Sequence, residues 1–259
     1  MHKRSVAVFC FVSASFLLSS CGGGGSGGSG GPGNSVGTVP TYSFVAPVVG
    51  AQSLYAETIV DNLNNTLNRS LVYDVTAVNA DGSFTHTESD PSNDSITSGS
   101  VTYTIYPATQ NYNSVGQLTS TTVTPPGSST TCLYSPHAGG APSPLSVGQT
   151  WSFAFTTNCT SMAGSTSQPS MVLAESQSGA LVDMESITVP AGTFNAYKLQ
   201  STTTWTTAAG TTVTETTTNW RDASGYTRSL KEVSTFIYSG AAPAQGSTVT
   251  EMQVLQSYH

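Results

Sequence analysis

The chain has 259 residues, a formal net charge of −7 and only 8% charged side chains, far below the usual quarter. Of its seven basic residues Lys3 and Arg4 fall in the first few positions, which leaves five against 14 acids in the rest. That balance, with no basic patch or Lys/Arg-rich helix, excludes nucleic acid as a partner and disfavours direct docking on anionic lipid. Thr and Ser fill the polar positions and alternate with Val, Tyr, Phe and Trp, which is strand chemistry.

The chain opens with Lys3 and Arg4, then an apolar run through Val6, Phe9, Phe11, Phe16, Leu17 and Leu18. This run is too short to cross a bilayer, which takes about 20 apolar residues. Basic residues, a short apolar run and small residues before a cut site describe an export signal. The segment Leu18-Ser19-Ser20-Cys21-Gly22 resembles the lipobox of bacterial lipoproteins. The resemblance implies a signal peptide over residues 1–20 and acylation of Cys21, which becomes the first residue after cleavage. It also implies attachment to the membrane through that lipid, with acyl chains contributing about 0.8 kcal/mol per buried methylene. In that family an aspartate after the cysteine retains the protein at the inner membrane. Gly22 stands there instead, so the expected address is the outer membrane, with the folded part in the periplasm or at the cell surface. Residues 21–40 are nearly all Gly and Ser, a flexible leash with a mean span of about 25 Å.

Residues 41–259 form a single β domain by this reading. Tyr42 to Val49 is a lead-in or edge strand broken by Pro47. In Ala51–Leu67 a four-residue apolar recurrence suits a helix face, but the asparagines at 62, 64, 65 and 68 favour two strands with a turn near Asn62–Asn65. Leu71, Tyr73, Val75 and Ala77 alternate, Asn79-Ala80-Asp81-Gly82 turns the chain, and Ser83–Glu88 returns. Val101, Tyr103 and Ile105 alternate, and Leu118–Thr124 runs up to Pro125-Pro126-Gly127. Ser128–Ser146, rich in Ser, Gly and Pro, reads as a long connection between halves. Trp151, Phe153 and Phe155 on one face give the strongest core-strand signal. Met171–Glu175, Ala180–Val189, Phe194–Ser201, Thr202–Thr207, Thr211–Trp220, Tyr226–Tyr238 and Val249–Leu255 complete a regular series of short strands. The expected fold is all-β and antiparallel: an open or half-closed barrel, or a two-sheet sandwich. Val49-Gly50-Ala51-Gln52 echoes Val147-Gly148-Gln149-Thr150, and Gly82-Ser83-Phe84 echoes Gly192-Thr193-Phe194. Two similar halves, 41–125 and 145–259, are therefore possible.

Leu145-Ser146-Val147-Gly148-Gln149-Thr150-Trp151, the run Val189-Pro190-Ala191-Gly192-Thr193-Phe194, and Trp220 with Gly225 and Arg228 resemble a pattern in bacterial periplasmic and lipoprotein β domains of unknown function. The resemblance implies an antiparallel, partly closed barrel without known catalysis, similar in shape to periplasmic lipoprotein carriers.

Candidate sites are few. Cys132 and Cys159 are the cysteines left after Cys10 and Cys21, and in an exported protein such a pair reads as a disulfide. Its loop of about 28 residues is worth roughly 3.5 kcal/mol in the chain-entropy model. The spacing of His86, His137 and His259 offers no metal site, and no cofactor is implied. His137 with Asp183 or Asp222 could serve a serine hydrolase, but no serine is marked as nucleophile. Asp90, Ser92 and Asp94 have calcium-loop spacing without the glycine and terminal glutamate such a loop needs. Glu175, Asp183 and Glu185 could supply a carboxylate pair but read better as exposed strand positions. No catalytic residue is assigned. Trp151, Phe153, Phe155, Trp205 and Trp220 could line an apolar cavity. The leading expectation is a lipid-anchored, non-catalytic envelope protein that binds or scaffolds an envelope partner. The alternative is a carrier of a lipid or other hydrophobic ligand in a half-barrel.

Overall fold

A computed structural model describes residues 39–91, 96–98, 101–103, 106–138, 141, 143–167, 171–207, 210–224, 228–240 and 247–259. The export signal, Cys21, the leash through residue 38, Ser92, Asp94, Ile105 and Gly225 lie outside them. In chain order the strands are β1 Thr41–Tyr42, β2 Gln52–Asp61, β3 Thr66–Val78, β4 Phe84–Ser89, β5 Ile96–Ser98, β6 Val101–Tyr103, β7 Ala108–Tyr112, β8 Leu118–Val123 and β9 Ser128–Ala138. Then follow β10 Leu145–Ser146, β11 Thr150–Ala163, β12 Thr166–Ser167, β13 Met171–Val189, β14 Gly192–Thr206, β15 Thr212–Asp222, β16 Ser229–Ser239 and β17 Thr248–Tyr258.

Every ladder is antiparallel, and the main sheet runs β11-β13-β14-β15-β16-β17-β2-β3-β4-β7-β8-β9. Its two ends join, because β9 pairs with β11 from Thr156↔Ser135 to Ala163↔Ser128. The result is a closed barrel of twelve strands with β12 added at its rim, so the all-β expectation holds and the curl is complete rather than partial. Closure leaves the barrel wall without the unpaired edges that invite aggregation.

Several boundaries differ from the sequence reading. Ser128–Ala138 is a strand, not a connection, and it is the strand that closes the barrel. Its hydroxyl-rich composition hides the alternation, since only Cys132 and Ala138 are fully buried. The run 171–189 is one strand of 19 residues, with a register shift between Leu181 and Asp183, and 192–206 is one strand of 15. Ala51–Leu67 is indeed two strands turning at Asn62–Asn65, where Asp61 Oδ1 accepts from the Leu63 and Asn65 amides and Asn64 takes φ 66°. Val101–Tyr103 pairs with β5 in a small hairpin of its own.

The sequence echo is a real structural repeat at its starting turns. Gly50 and Gly148 both take positive φ, 83° and 88°, where a Cβ would be strained. Gly50 N donates to Val75 O and Val75 N to Ala51 O; Gly148 N donates to Leu181 O and Leu181 N to Gln149 O. Both receiving strands break register just beyond, at Val75/Ala77 and Leu181/Asp183. Six barrel strands follow each turn, and the lead-ins β1 and β10 pair with each other.

Three apolar clusters fill the barrel end where these turns lie. Tyr42, Ala141 and Leu145 cover Trp151, Leu181 and Leu199. Phe44 packs on the cluster of Phe84, Tyr112, Leu118 and Phe155, its ring where any Cβ at Gly116 would have to sit. The β13–β14 hairpin crosses to β17, with Ala191 N donating to Leu255 O and Val189 and Ala196 buried against Tyr55, Leu71, Tyr73 and Leu255. A smaller cluster of Val213, Phe236, Tyr238 and Val249 lies toward the other end.

Two outcomes follow. Replacing Cys132 and Cys159 by serine should lower stability to urea by about 3.5 kcal/mol, from the loop the bond closes. Gly179→Ala should cost about 1–3 kcal/mol, because its Cβ would overlap both the Trp151 ring and the Gln200 carbonyl. Equal urea midpoints for wild type and Gly179→Ala would show that Trp151 does not lie there.

Candidate functional site: a polar belt inside the barrel

Directly opposed residues of an antiparallel ladder point to the same face, so register alone traces the interior. One inward row crosses seven strands: Leu181, Leu199, Asn219, Glu232, Gln253, Glu57 and Arg69. The next carries Gly179, Ser201, Thr217, Ser234, Glu251 and Ile59, and a third Gln177, Thr203, Glu215, Phe236, Val249 and Asp61. A belt of charged and amide side chains therefore sits inside, flanked by apolar clusters.

Burying these groups is tolerable only because they pair. Glu57, 1% exposed, accepts from Arg69 Nε and from Gln253 Nε2 at 2.8 Å; Gln253 also donates to Glu251 at 3.0 Å. Asn219 donates to Glu232, and Arg221, 1% exposed, attracts the same carboxylate. Gln110 links Glu88, at 3.3 Å, to the Tyr112 hydroxyl, which donates to it at 2.6 Å. Thr157 donates to Glu175, Gln177 to Thr203, and Thr217 to Glu215 at 3.2 Å.

Six inward glutamates share two guanidinium groups. Burial pushes Glu215 up to about 8, with the Glu232 charge adding to the shift and hydrogen bonds from Thr217 and Ser234 opposing it. Burial holds Glu88 at about 7 and Glu175 at about 6, and raises Glu232. His86, buried among Tyr73, Phe84 and Tyr112, is pushed down to about 4 and is neutral at pH 7. The belt thus holds protons at neutral pH.

The candidate residues from the sequence do not converge. Trp151 and Phe155 are buried in two different clusters, with Phe153 between them. Trp205 packs with the Val213 cluster toward the other end. Trp220 is partly buried against the cluster of Tyr55, Leu71, Val189 and Leu255, Nε1 donating to Glu185 Oε1 at 2.5 Å, with Lys198 and Lys231 nitrogens 5.3 and 5.2 Å from its ring. Cys132 and Cys159 are opposite residues of the β9–β11 ladder and are joined. His137 is exposed on β9, while Asp222 is engaged by Arg228 and Ser224, and Asp183 accepts from the Met184 amide. Glu175 points inward, whereas Glu185 bonds outward to Trp220 and Lys198. Among the described residues no group of three or more His, Cys, Asp or Glu suits a metal ion.

The sequence reading missed the belt, although a signal was present. Glu57 lies in phase with Ser53 and Tyr55, Arg69 with Leu71 and Tyr73, and Glu232 with Leu230 and Ser234, all on the buried face.

No protein-family model and no curated protein matches the chain. Two solved structures do. One is a chain from Parabacteroides distasonis carrying the provisional name of a lipoprotein, with 12% identity and TM-score 0.46, covering 85% of this chain and 99% of that one. The other is a provisionally exported protein with a YmcC-like fold from Bacteroides fragilis, with 12% identity and TM-score 0.45, covering 84% of this chain and 99% of that one.

The belt makes two predictions. Arg69→Met, which strands Glu57, should cost about 3–5 kcal/mol, against much less for the double change Arg69→Met with Glu57→Gln, read by urea unfolding. Second, stability should fall as pH rises from 6.5 to 8.5. The unfolded carboxylates are already ionised there, while folded Glu88 and Glu215 still hold protons that they then lose. Each retained proton gives a slope of about 1.4 kcal/mol per pH unit. His86 and the lowered Asp61 act in the opposite sense, but below that window. Glu215→Gln should flatten the slope; a stability that rises across this range would contradict the assignment.

Proposed function

We propose that the protein is a lipid-anchored cell-envelope barrel with a non-catalytic binding or scaffolding role, tethered to the outer membrane by acylated Cys21. The observation that carries the reading is where the chain enters the barrel. Residues from 39 onward run straight into the end cluster through β1, Tyr42 and Phe44. A leash ending in such a plug holds the barrel by one end.

The wall fits a barrel that stands in water. Outward rows of β13–β17 read Ser178, Thr202, Thr216, Thr235, Thr250 and Ser176, Thr204, Thr214, Ile237, Thr248. A lipid-facing wall would carry an apolar band there. The carrier alternative gains no support from the aromatics, which are spread over separate clusters, while the interior between them is charged and hydrogen-bonded.

The test is metabolic labelling of the full chain with a palmitate analogue in a diderm bacterium, followed by membrane fractionation. The expected result is label and outer-membrane recovery for wild type, and neither for Cys21→Ala. Label-free protein recovered from the periplasmic fluid in both cases would overturn the anchor.

A further inference from the structure

We propose that the barrel end where the leash enters rests on the bilayer surface through an apolar strap, Val45 to Val49. The proposal rests on the lipid anchor inferred above and adds the protein surface that meets the membrane. After Tyr42 the chain crosses this end of the barrel. Phe44 stacks on Phe84 and lies over Gly116, its N–H donating to Ser143 Oγ. Gly50 N then reaches Val75 O on β3. The side chains of this segment divide. Tyr42 and Pro47 are buried, and Phe44 and Ala46 half-buried, against the barrel. Val45, Val48 and Val49 face away from it, 48%, 67% and 61% exposed. Val39, just before the strap, is 54% exposed, and Val115, on the turn that Phe44 covers, 40%.

The wall is built differently. There, exposed apolar residues stand against polar partners: Leu133 and Val172 flank Asn158, and Ile237 lies opposite Thr214. Single exposed apolar residues are ordinary, whereas a concentration of them marks a contact surface. Four of the exposed large apolar side chains fall between residues 39 and 49.

The leash says what covers them. It joins the fold at the strap's own end of the barrel, and its other end carries the acyl chains. With a mean span of about 25 Å it keeps the valines near the bilayer, and a contact made intramolecular in this way needs little affinity of its own. The leash cannot cover the strap itself, since residues 21–38 hold one large apolar side chain, Val36, among Gly, Ser and other small or polar residues. Residues 39–50 carry no charge. On the neighbouring turn, Asp81 Oδ1 accepts from the Ser83 amide and hydroxyl. The contact is therefore apolar and indifferent to headgroup charge, with the valines seated at the boundary of headgroups and acyl chains. The lipid holds the protein at the membrane, and the strap decides which end faces it.

The experiment reconstitutes the full lipidated chain into phosphatidylcholine vesicles, with or without phosphatidylglycerol, that contain nitroxide-labelled lipid. A small fluorophore is placed on Val48→Cys, or on Leu63→Cys at the opposite end of β2, where Leu63 is 56% exposed. Several-fold stronger quenching at 48 than at 63 is expected, the same in both lipids and in about 1 M salt. Adding Val45→Ser and Val49→Ser should at least halve the quenching at 48, with far-ultraviolet circular dichroism unchanged. Equal quenching at 48 and 63, quenching lost in salt, or quenching at 48 untouched by the two serines would each overturn the proposal. Shielding at 48 that follows protein density instead of nitroxide content would make a second copy the occupant and overturn it too. Flotation with the vesicles reads the anchor separately. A chain that floats but fails these tests defeats this inference alone, and a chain that does not float removes the anchor and this inference with it.

Discussion

The side chain of Glu57 holds the barrel shut where its first and last strands meet. It sits on β2, takes Arg69 from β3 on one side and Gln253 from β17 on the other, and so spans the junction of the chain's two ends. Taking an ion pair out of water costs several kcal/mol per charge, and only close pairing with further hydrogen bonds recovers it. Gln253 supplies that further bond. The second junction between the six-stranded halves is β9 against β11, and there the Cys132–Cys159 bond links two opposed residues. One seam is ionic and the other covalent; both face inward, the first joining the chain's two ends and the second two strands whose cysteines are 27 residues apart.

This arrangement changes what the charge of the chain means. A net charge near −9 for the folded part suggests an acidic surface. Yet Glu57, Glu88, Glu175, Glu215, Glu232 and Glu251 point inward, and burial keeps Glu215, at about 8, protonated and Glu88, at about 7, partly so at neutral pH. The wall that meets solvent is therefore close to neutral, and its solubility rests on hydroxyls. A protein of this kind discriminates partners by local arrangements of donors, acceptors and aromatic surface more than by a long-range field.

Alternation with period two made the strands legible. Trp151, Phe153 and Phe155, the Asn62–Asn65 turn and the Asp81-Gly82 turn could all be read from the sequence, because each is a local pattern. Period two distinguishes two faces without saying which is inside. Glu57, Arg69 and Glu232 were legible only as polar strand residues, and their burial follows from closure, which is a property of the whole sheet. Ser128–Ala138 was illegible for a related reason: a strand whose two faces are both hydroxyl-rich carries no amphipathic signal. The long strands β13 and β14 were cut in two because the polar run Ser176-Gln177-Ser178-Gly179 and the threonines from Thr202 interrupt the pattern without interrupting the ladder.

The two halves begin alike and then diverge, and the divergence is informative. The Gly50 and Gly148 turns make the same hydrogen bonds, and each is followed by a strand with a register shift one step on. After the shift the first half turns at Gly82-Ser83-Phe84, where Phe84 drops into the end cluster. The second half instead runs on through Glu185 and Ile187 to the Pro190-Ala191-Gly192 turn, crosses to β17, and returns past Phe194 to Lys198. A barrel of this size could have closed its mouth with two short hairpins. The longer one brings Glu185 and Lys198 against Trp220 and packs Phe194 beside Tyr258, whose ring centre is 3.6 Å from the Arg228 guanidinium carbon. The packing around Trp220 thus arises from the part of the second half that the first half lacks, where Ile187, Ala191, Phe194 and Trp220 extend the end cluster of Tyr55, Leu71, Val189 and Leu255 and so build the longer hairpin into the barrel's core.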